Sequence, residues 1–318
     1  MREVDIRRID LNLLVVLRVL LDTGSVTRTA ERLHMSQPAV SRALAKLRLQ
    51  LGDKLLVRVA GGMAPTLRAQ ALAAPLAALL HQLEECVAPV VFDPATTRRV
   101  FRVATTDYGA VAVLPSLMQA FTQQAPLAGI EVVPFSDAVF EQLNAGQVDC
   151  VLYSDDPVAG TLRTRPLFRE SYSCLLRTDH PLLANQGARA DDALSLQEFI
   201  AWPHALVSIF GGRTGEVDDA LAACHQKRHI VLWLPYFATA GLVSAASDLI
   251  VTLPTRVATA LADTNGLRLL KPPLELPGFG YRMLWHERSH EDPGCIWLRD
   301  VVAATANHQN AAHTGPSA

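Results

Sequence analysis

The sequence predicts a multidomain α/β protein: a small winged helix-turn-helix unit, one long linker helix, and a two-lobed α/β body. Three observations carry this. Near the start, Leu13, Leu17 and Leu20, then Val40, Leu44, Leu47 and Leu51, recur at helical spacing. An Ala/Leu-rich stretch over 66–87 then repeats apolar positions every three or four residues. From residue 98 onward, β-branched runs alternate with helical ones, the pattern of βαβ units around a mostly parallel sheet.

The chain has 318 residues, more than one ordinary core holds and enough for two or three compact units. No apolar run approaches the roughly 18–20 residues that span a bilayer. The opening MREVDIRRID is charged and lacks the apolar stretch of a secretory signal, so a cytoplasmic location is expected. Cys86, Cys150, Cys174, Cys224 and Cys295 are scattered and form no C-x-x-C, which reads as reduced thiols rather than a disulfide framework. The net charge of −2 conceals an asymmetry. Residues 1–68 hold 12 Lys/Arg against 6 Asp/Glu, while the remainder holds 17 against 25. A basic head on an acidic body implies a polyanion partner for the head alone.

Within that head, Asp10 reads as the N-cap of a first helix and Thr23-Gly24 as its stop. Ser25 caps a short second helix with Val26, Ala30 and Leu33 on one face. His34-Met35 makes the turn, and Ser36 caps a third helix with Pro38 in its first turn, where a missing N–H costs nothing. Its apolar stripe is opposed by Pro38, Ser41, Arg42, Ala45 and Lys46, and Gly52 ends it. This is a helix-turn-helix, whose third helix enters a major groove N-terminus first. Gln37 is placed for a base edge, since its amide can pair bidentately with adenine. Ser36, Ser41 and the helix N-terminus suit phosphate oxygens, and Arg42 and Lys46 suit phosphate or guanine. Thr29 and Pro38 complete the expected DNA-contact set. Lys54–Val59 reads as a strand, residues 60–63 as a turn and Ala64-Pro65-Thr66 as the return, a wing that puts Arg58 near the minor groove. The DNA-binding unit is expected to cover 1–65.

Residues 66–97 form the expected linker. Leu72, Leu76, Leu79, Leu80, Leu83 and Val87 make a stripe that needs a partner, either a second subunit's helix or the chain's own body. Pro75 should kink it, and Pro89, Asp93 and Pro94 mark its end.

The body is expected over 98–305, with a polar and disordered tail over 306–318. Strands are read at 100–104, 130–135 and 149–153, and a helix at 138–145 closed by Gly146. The pattern restarts at 171–176 and continues through a strand at 205–209, a helix at 216–224, a strand at 229–234 and a helix at 237–247. Residues 267–270 lead back, and 281–285 with 293–304 rejoin the first half. Lobe I thus takes about 98–168 and 272–305, and lobe II about 169–271. Ligands in such folds sit between the halves, at the carboxyl ends of strands. Thr105 and Thr106 hold that position and open a helix whose free N–H groups can hold an anion. Ser136 ends the next strand, and Ser208, Phe210 and Phe237 are candidates from the other half.

Residues 286–290 read His-Glu-Arg-Ser-His and match the His-Glu-x-x-His of zinc proteases, which needs both imidazoles on one helix face. The flanks predict otherwise. FGYRMLW before it has strand character, and Asp292-Pro293 begins a helix after it. G-x-S-x-G, Walker A and G-x-G-x-x-G are absent from the sequence. No catalytic residue, metal or cofactor is assigned, and the chain is not read as an enzyme.

The stretch DLNLLVVLRVLLDTGSVTRTAERLHMSQPAVSRALAKLRLQLGDKLLVR, with VDDALAA, SDLIVTLPTRVA and WHERSHEDPGCIWLRD, resembles the LysR-type transcriptional regulators, in the branch holding nodulation and aromatic-degradation activators. The resemblance spans nearly the whole chain. It implies a dimerising linker helix, a periplasmic-binding-protein-like effector domain, and a structural strand-to-helix junction at 286–293. Two positions depart from the family pattern. Leu56 stands where the wing carries an aromatic, and Cys224-His225 stands where a turn carries Gly. The implied activity is ligand-responsive, sequence-specific DNA binding by a homodimer or homotetramer on an interrupted inverted repeat of double-stranded DNA. The implied effector is a small molecule, an aromatic carboxylate by the family branch, and RNA polymerase is a further candidate partner. Alternatives are oxidation sensing through Cys174 and Cys224, and zinc hydrolysis through His286 and His290. A solute-binding protein would lack its export signal and leave the basic head unexplained.

Overall fold

The structure is a computed structural model and describes residues 10–60, 62–88, 91–158, 160, 162–184, 193–209 and 211–313. The chain divides into two compact units, Met1–Val90 and Val91–Ala318.

The first unit runs α1 (Leu11–Thr23), α2 (Val26–Arg32), α3 (Gln37–Leu51), β1 (Leu56–Val59), β2 (Gly62–Pro65) and α4 (Leu67–Val87). Each helix start is capped by an oxygen side chain. Asp10, Ser25, Ser36 and Thr66 accept the backbone N–H of Asn12, Arg28, Ala39 and Ala69 respectively. Thr66 is therefore a cap and not part of the returning strand, because its hydroxyl also donates to Asp53 Oδ1 at 2.6 Å. Leu13, Leu17, Leu20, Val40, Leu44 and Leu47 close one core, joined by Leu56 from the wing. Each such burial contributes about 1.5–3 kcal/mol. The helix α4 is continuous across Pro75. Its Ala69 and Leu76 are buried, but Leu79 and Val87 are 43% and 81% exposed.

The second unit continues with β3 (Val100–Thr105), α5 (Asp107–Gln124), β4 (Gly129–Pro134), α6 (Val139–Ala145), β5 (Cys150–Ser154), β6 (Arg163–Glu170), β7 (Tyr172–Arg177), α7 (Pro181–Ala184), α8 (Leu196–Ala201) and β8 (Pro203–Val207). It ends with α9 (Glu216–Ala223), β9 (His229–Leu234), α10 (Phe237–Ala245), β10 (Ile250–Pro254), α11 (Thr255–Asn265), β11 (Leu267–Leu270), β12 (Phe279–Trp285) and α12 (Pro293–His313). Two five-stranded sheets result. Lobe I has the order β4-β3-β5-β12-β6 and lobe II the order β11-β7-β10-β8-β9.

Neither sheet is mostly parallel. In lobe I, β3 pairs in parallel with β4 and β5, whereas β12 runs against β5 and β6. In lobe II, β8 is parallel to β9 and β10, whereas β7 runs against β10 and β11. The cause lies in the crossings. No crossover helix precedes β7 or β12, and a parallel connection needs one. The strand β6 and the pair β10–α11 add elements that periodicity left unassigned. Helix α12 runs to His313 through much of the tail read as disordered, since no Gly or Pro follows Gly294 in its first turn until Gly315-Pro316.

Aromatic rings fill lobe I: Phe101 meets Phe121 edge-on at 6.2 Å, and Trp297 packs on both. Among the described residues, no helix is long and apolar enough to cross a membrane.

Candidate nucleic-acid interface and effector cleft

On α3 the buried residues are Val40, Ala43, Leu44 and Leu47, which fixes the opposite face outward. Gln37, Pro38, Ser41, Arg42, Ala45 and Lys46 are all exposed, as are Ser36 at the cap and Arg58 on β1. Arg58 sits opposite Met63 in the two-stranded wing. Lys46 Nζ lies 3.5 Å from Asp10 Oδ2, an exposed pair weak enough to exchange for a phosphate. The turn before α3 depends on His34 in the left-handed region at φ 53°.

Thr29 does not belong to this face. It is fully buried, and its hydroxyl is engaged by the Thr23 hydroxyl at 2.7 Å and the Ser25 carbonyl at 2.8 Å. A hydroxyl in α2 at that position bonds back to the preceding turn instead of reaching outward.

In the second unit a cavity of about 280 Å³ lies between the lobes. Lobe I contributes Thr106, Tyr108, Tyr153, Phe279 and Tyr281, and lobe II contributes Tyr172, Leu206, Val207 and Phe237. The polar lining is Ser154, Asp156, Glu216, Thr252 and Arg228. Of the expected effector residues, Thr106 and Phe237 line this cavity. Thr105 stands behind it, 3% exposed, with its hydroxyl 3.0 Å from the Tyr281 hydroxyl. Ser136 is exposed and is not a lining residue. Ser208 lines a neighbouring cavity with Gly211, Gly212 and Trp233. Phe210 lies outside the described residues. The aromatic lining went unread because Tyr108, Tyr153, Tyr172 and Tyr281 come from four separate elements. The available signal was Tyr108, two residues after Thr106 in the first turn of α5.

The lobes meet through buried polar contacts. Asp107 at the start of α5 accepts the Ala238 N–H of α10 at 3.0 Å. Tyr108 donates its hydroxyl to Glu170 Oε2 at 2.6 Å, and Arg256 Nε of α11 lies 3.9 Å from the same oxygen. Arg256 also lies over the Phe168 ring at 3.9 Å. Burial pushes the Glu170 carboxyl above the usual carboxylate range despite these partners. Gly109 is required here, because a Cβ would collide with the Thr105 and Tyr281 hydroxyls.

Residues 286–290 form no zinc-protease helix. Trp285 ends β12, His286 caps a single 3₁₀ turn over Glu287–Ser289, and α12 starts later. His286 Nδ1 accepts the Arg288 N–H at 3.2 Å, and His290 Nδ1 accepts the Trp285 indole N–H at 3.2 Å. Glu287 is paired by two of the three Arg163 guanidinium nitrogens, at 2.6 and 3.1 Å. The oxidation reading also loses support. Cys174 is fully buried, and burial pushes its thiol up to about 12, the opposite of a reactive thiolate. Cys224 is exposed at the end of α9, and the following His225 takes the left-handed conformation at φ 56° that a Gly would adopt freely.

Comparison with known proteins agrees with both halves. A bacterial regulatory helix-turn-helix model of the lysR family matches residues 11–70, and a LysR substrate binding domain model matches residues 94–307. The HTH-type transcriptional activator NahR of Pseudomonas putida is 36% identical over 300 residues, covering 94% of this chain and 98% of that protein. Nodulation protein D 1 of a Bradyrhizobium strain is 29% identical over 307 residues, covering 96% of each. Among solved structures, the probable transcriptional regulator PA0477 from Pseudomonas aeruginosa is similar with a TM-score of 0.58 at 33% identity, covering 94% of this chain and 97% of that one. The chain belongs to the LysR family of bacterial helix-turn-helix transcriptional regulators.

Proposed function

We propose that this regulator grips double-stranded DNA through α3 and the wing and changes its grip when a small aromatic effector enters the interlobe cavity. Gln37 reads a base edge in the major groove, Ser36, Ser41, Arg42 and Lys46 hold phosphates, and Arg58 approaches the minor groove. The effector binds between Thr106, Phe237 and the tyrosines, and acts by favouring one closure state of the lobes over another. The exposed apolar residues of α4, Leu79 and Val87, supply a dimer seam. Paired recognition helices then fit an interrupted inverted repeat with half-sites about one helical turn, or a multiple of it, apart. The chain works in the cytoplasm, as a dimer or tetramer, without catalysis of its own, and RNA polymerase is its further contact.

The observation that carries this reading is the outward face of α3: small, polar and basic, opposite a fully buried apolar stripe. The test is titration of the protein against duplex fragments flanking its own locus at several salt concentrations. Salt-dependent, sequence-selective binding that an Arg42→Ala/Lys46→Ala variant weakens is the expected result. Absence of any salt-sensitive affinity overturns it.

A further inference from the structure

Four helices begin at the cavity wall, α5, α9, α10 and α11, and the first three already carry a protein carboxylate at their start. Asp107 opens α5 and also accepts the Ala238 N–H in the first turn of α10, so one charge serves two helix ends. Glu216 opens α9, and Asp218 in the same turn accepts the Gly215 N–H at 2.9 Å. A helix N-terminus is a natural seat for an anion, and here the chain has filled three of those seats itself.

The cations tell the same story. Among the described lining residues, Arg228 is the only one with a positive charge. Both Asp218 oxygens hold its guanidinium at 2.8 Å, and its side chain is 1% exposed. Asp156 and Glu216 are exposed lining carboxylates. The Ser154 hydroxyl donates to Asp156, and Arg282, outside the lining, bonds the Ser154 and Asp156 carbonyls and not the carboxylate, so among the described residues neither carboxylate is held in an ion pair. The same carboxylates also bear on the Tyr172 hydroxyl, after burial. Burial first, then Glu216, Glu170 and Asp156, push it up to about 12.

We propose that this cavity selects an aromatic effector that bears hydrogen-bond donors and no negative charge, with Asp156 and Glu216 setting the selection. The inference rests on reading the cavity as the effector site, and it departs from the aromatic carboxylate that the family branch implied. A ligand carboxylate entering here would shed its water and then face like charges. A phenol hydroxyl or an amide N–H would instead make charge-assisted hydrogen bonds to those same groups. The ring itself is met by Tyr108, Phe237 and Phe279, which all line the cavity, Tyr108 meeting each of the other two edge-on at 5.7 Å.

The experiment uses ring-matched pairs that differ in charge, beginning with 4-hydroxybenzamide against 4-hydroxybenzoate and extending to two-ring analogues. Binding to the full-length protein is measured by calorimetry and thermal shift. The uncharged member of each pair is expected to bind at least about tenfold tighter. In Asp156→Asn/Glu216→Gln the gap should shrink to about threefold or less, through gain by the carboxylate. Glu216→Gln alone should move it part of the way. Both positions are exposed, and circular dichroism checks that the fold persists. Carboxylates binding as tightly as their uncharged partners, or a gap unchanged in the double variant, overturns this inference while leaving the effector site standing. No binding by either member of any pair overturns both.

Discussion

The Tyr108 hydroxyl lies 2.6 Å from Glu170 Oε2, joining the first turn of α5 to the last residue of β6, where the chain leaves lobe I. Glu170 is 5% exposed, and its other oxygen accepts the Ser171 N–H at 3.0 Å. Tyr108→Phe removes the hydroxyl and leaves a buried acceptor short of one partner. The expected loss is about 1–3 kcal/mol of stability, seen as a lower urea midpoint. An unchanged midpoint would mean that water or Arg256 replaces the hydroxyl without cost.

Gln37 and Arg58 should fail differently. Gln37→Ala is expected to relax discrimination at one base pair by about 1–3 kcal/mol, with little change in the salt slope. Arg58→Ala is expected to weaken all duplexes alike and reduce the salt slope by about one. Competition binding on operator variants at two or more salt concentrations separates the two. If Gln37→Ala keeps full discrimination, α3 is not the reading element.

Gly109 faces the Thr105–Tyr281 hydroxyl pair with no room for a methyl group. Gly109→Ala should cost about 1–3 kcal/mol through overpacking. Adding Tyr281→Phe removes one of the colliding oxygens, so the double variant should recover part of the loss. Additive losses in a double-mutant cycle would rule out that contact as the cause.

His204 is fully buried, and its Nε2 donates to the Phe199 carbonyl at 2.7 Å. Burial pushes its pKa down to about 4. Between an ordinary histidine value of about 6.5 and this value, the unfolded chain binds a proton that the folded chain refuses. Stability therefore falls as pH falls through that window, by up to roughly 3 kcal/mol. Urea midpoints at pH 7 and pH 5 should differ less in His204→Gln, which keeps a donor for Phe199 without a titrating ring.

The helical head was readable because its signals are local. Asp10, Ser25, Ser36, Gly24 and Gly52 each act within a few residues of themselves, and the structure uses all five as caps. Thr29 was misplaced for the complementary reason. A short hydroxyl at a helix start is equally able to face a phosphate or its own preceding turn, and the neighbouring Thr23 decided it. In the body, strand positions followed from β-branched runs, but strand direction depended on crossings that periodicity does not encode. The cavity was the least legible part. Thr106 and Phe237 were reached by the rule for strand ends and helix starts, whereas Arg228 and Tyr172 line the cavity only because β9 and β7 fold beside it. The anion seat read from Thr105-Thr106 overlooked the next residue, Asp107, whose carboxylate bonds across to α10.

The strand β12 enters the middle of the lobe I sheet, between β5 and β6, although it is made after all of lobe II. Until residue 285 has left the ribosome, β5 and β6 present open edges to each other across a gap, and unpaired edges recruit other chains. Lobe II occupies one uninterrupted stretch and can close early, whereas lobe I waits for the far end of the message. A truncation or premature stop just short of β12 would thus yield a finished lobe II beside a split, aggregation-prone lobe I.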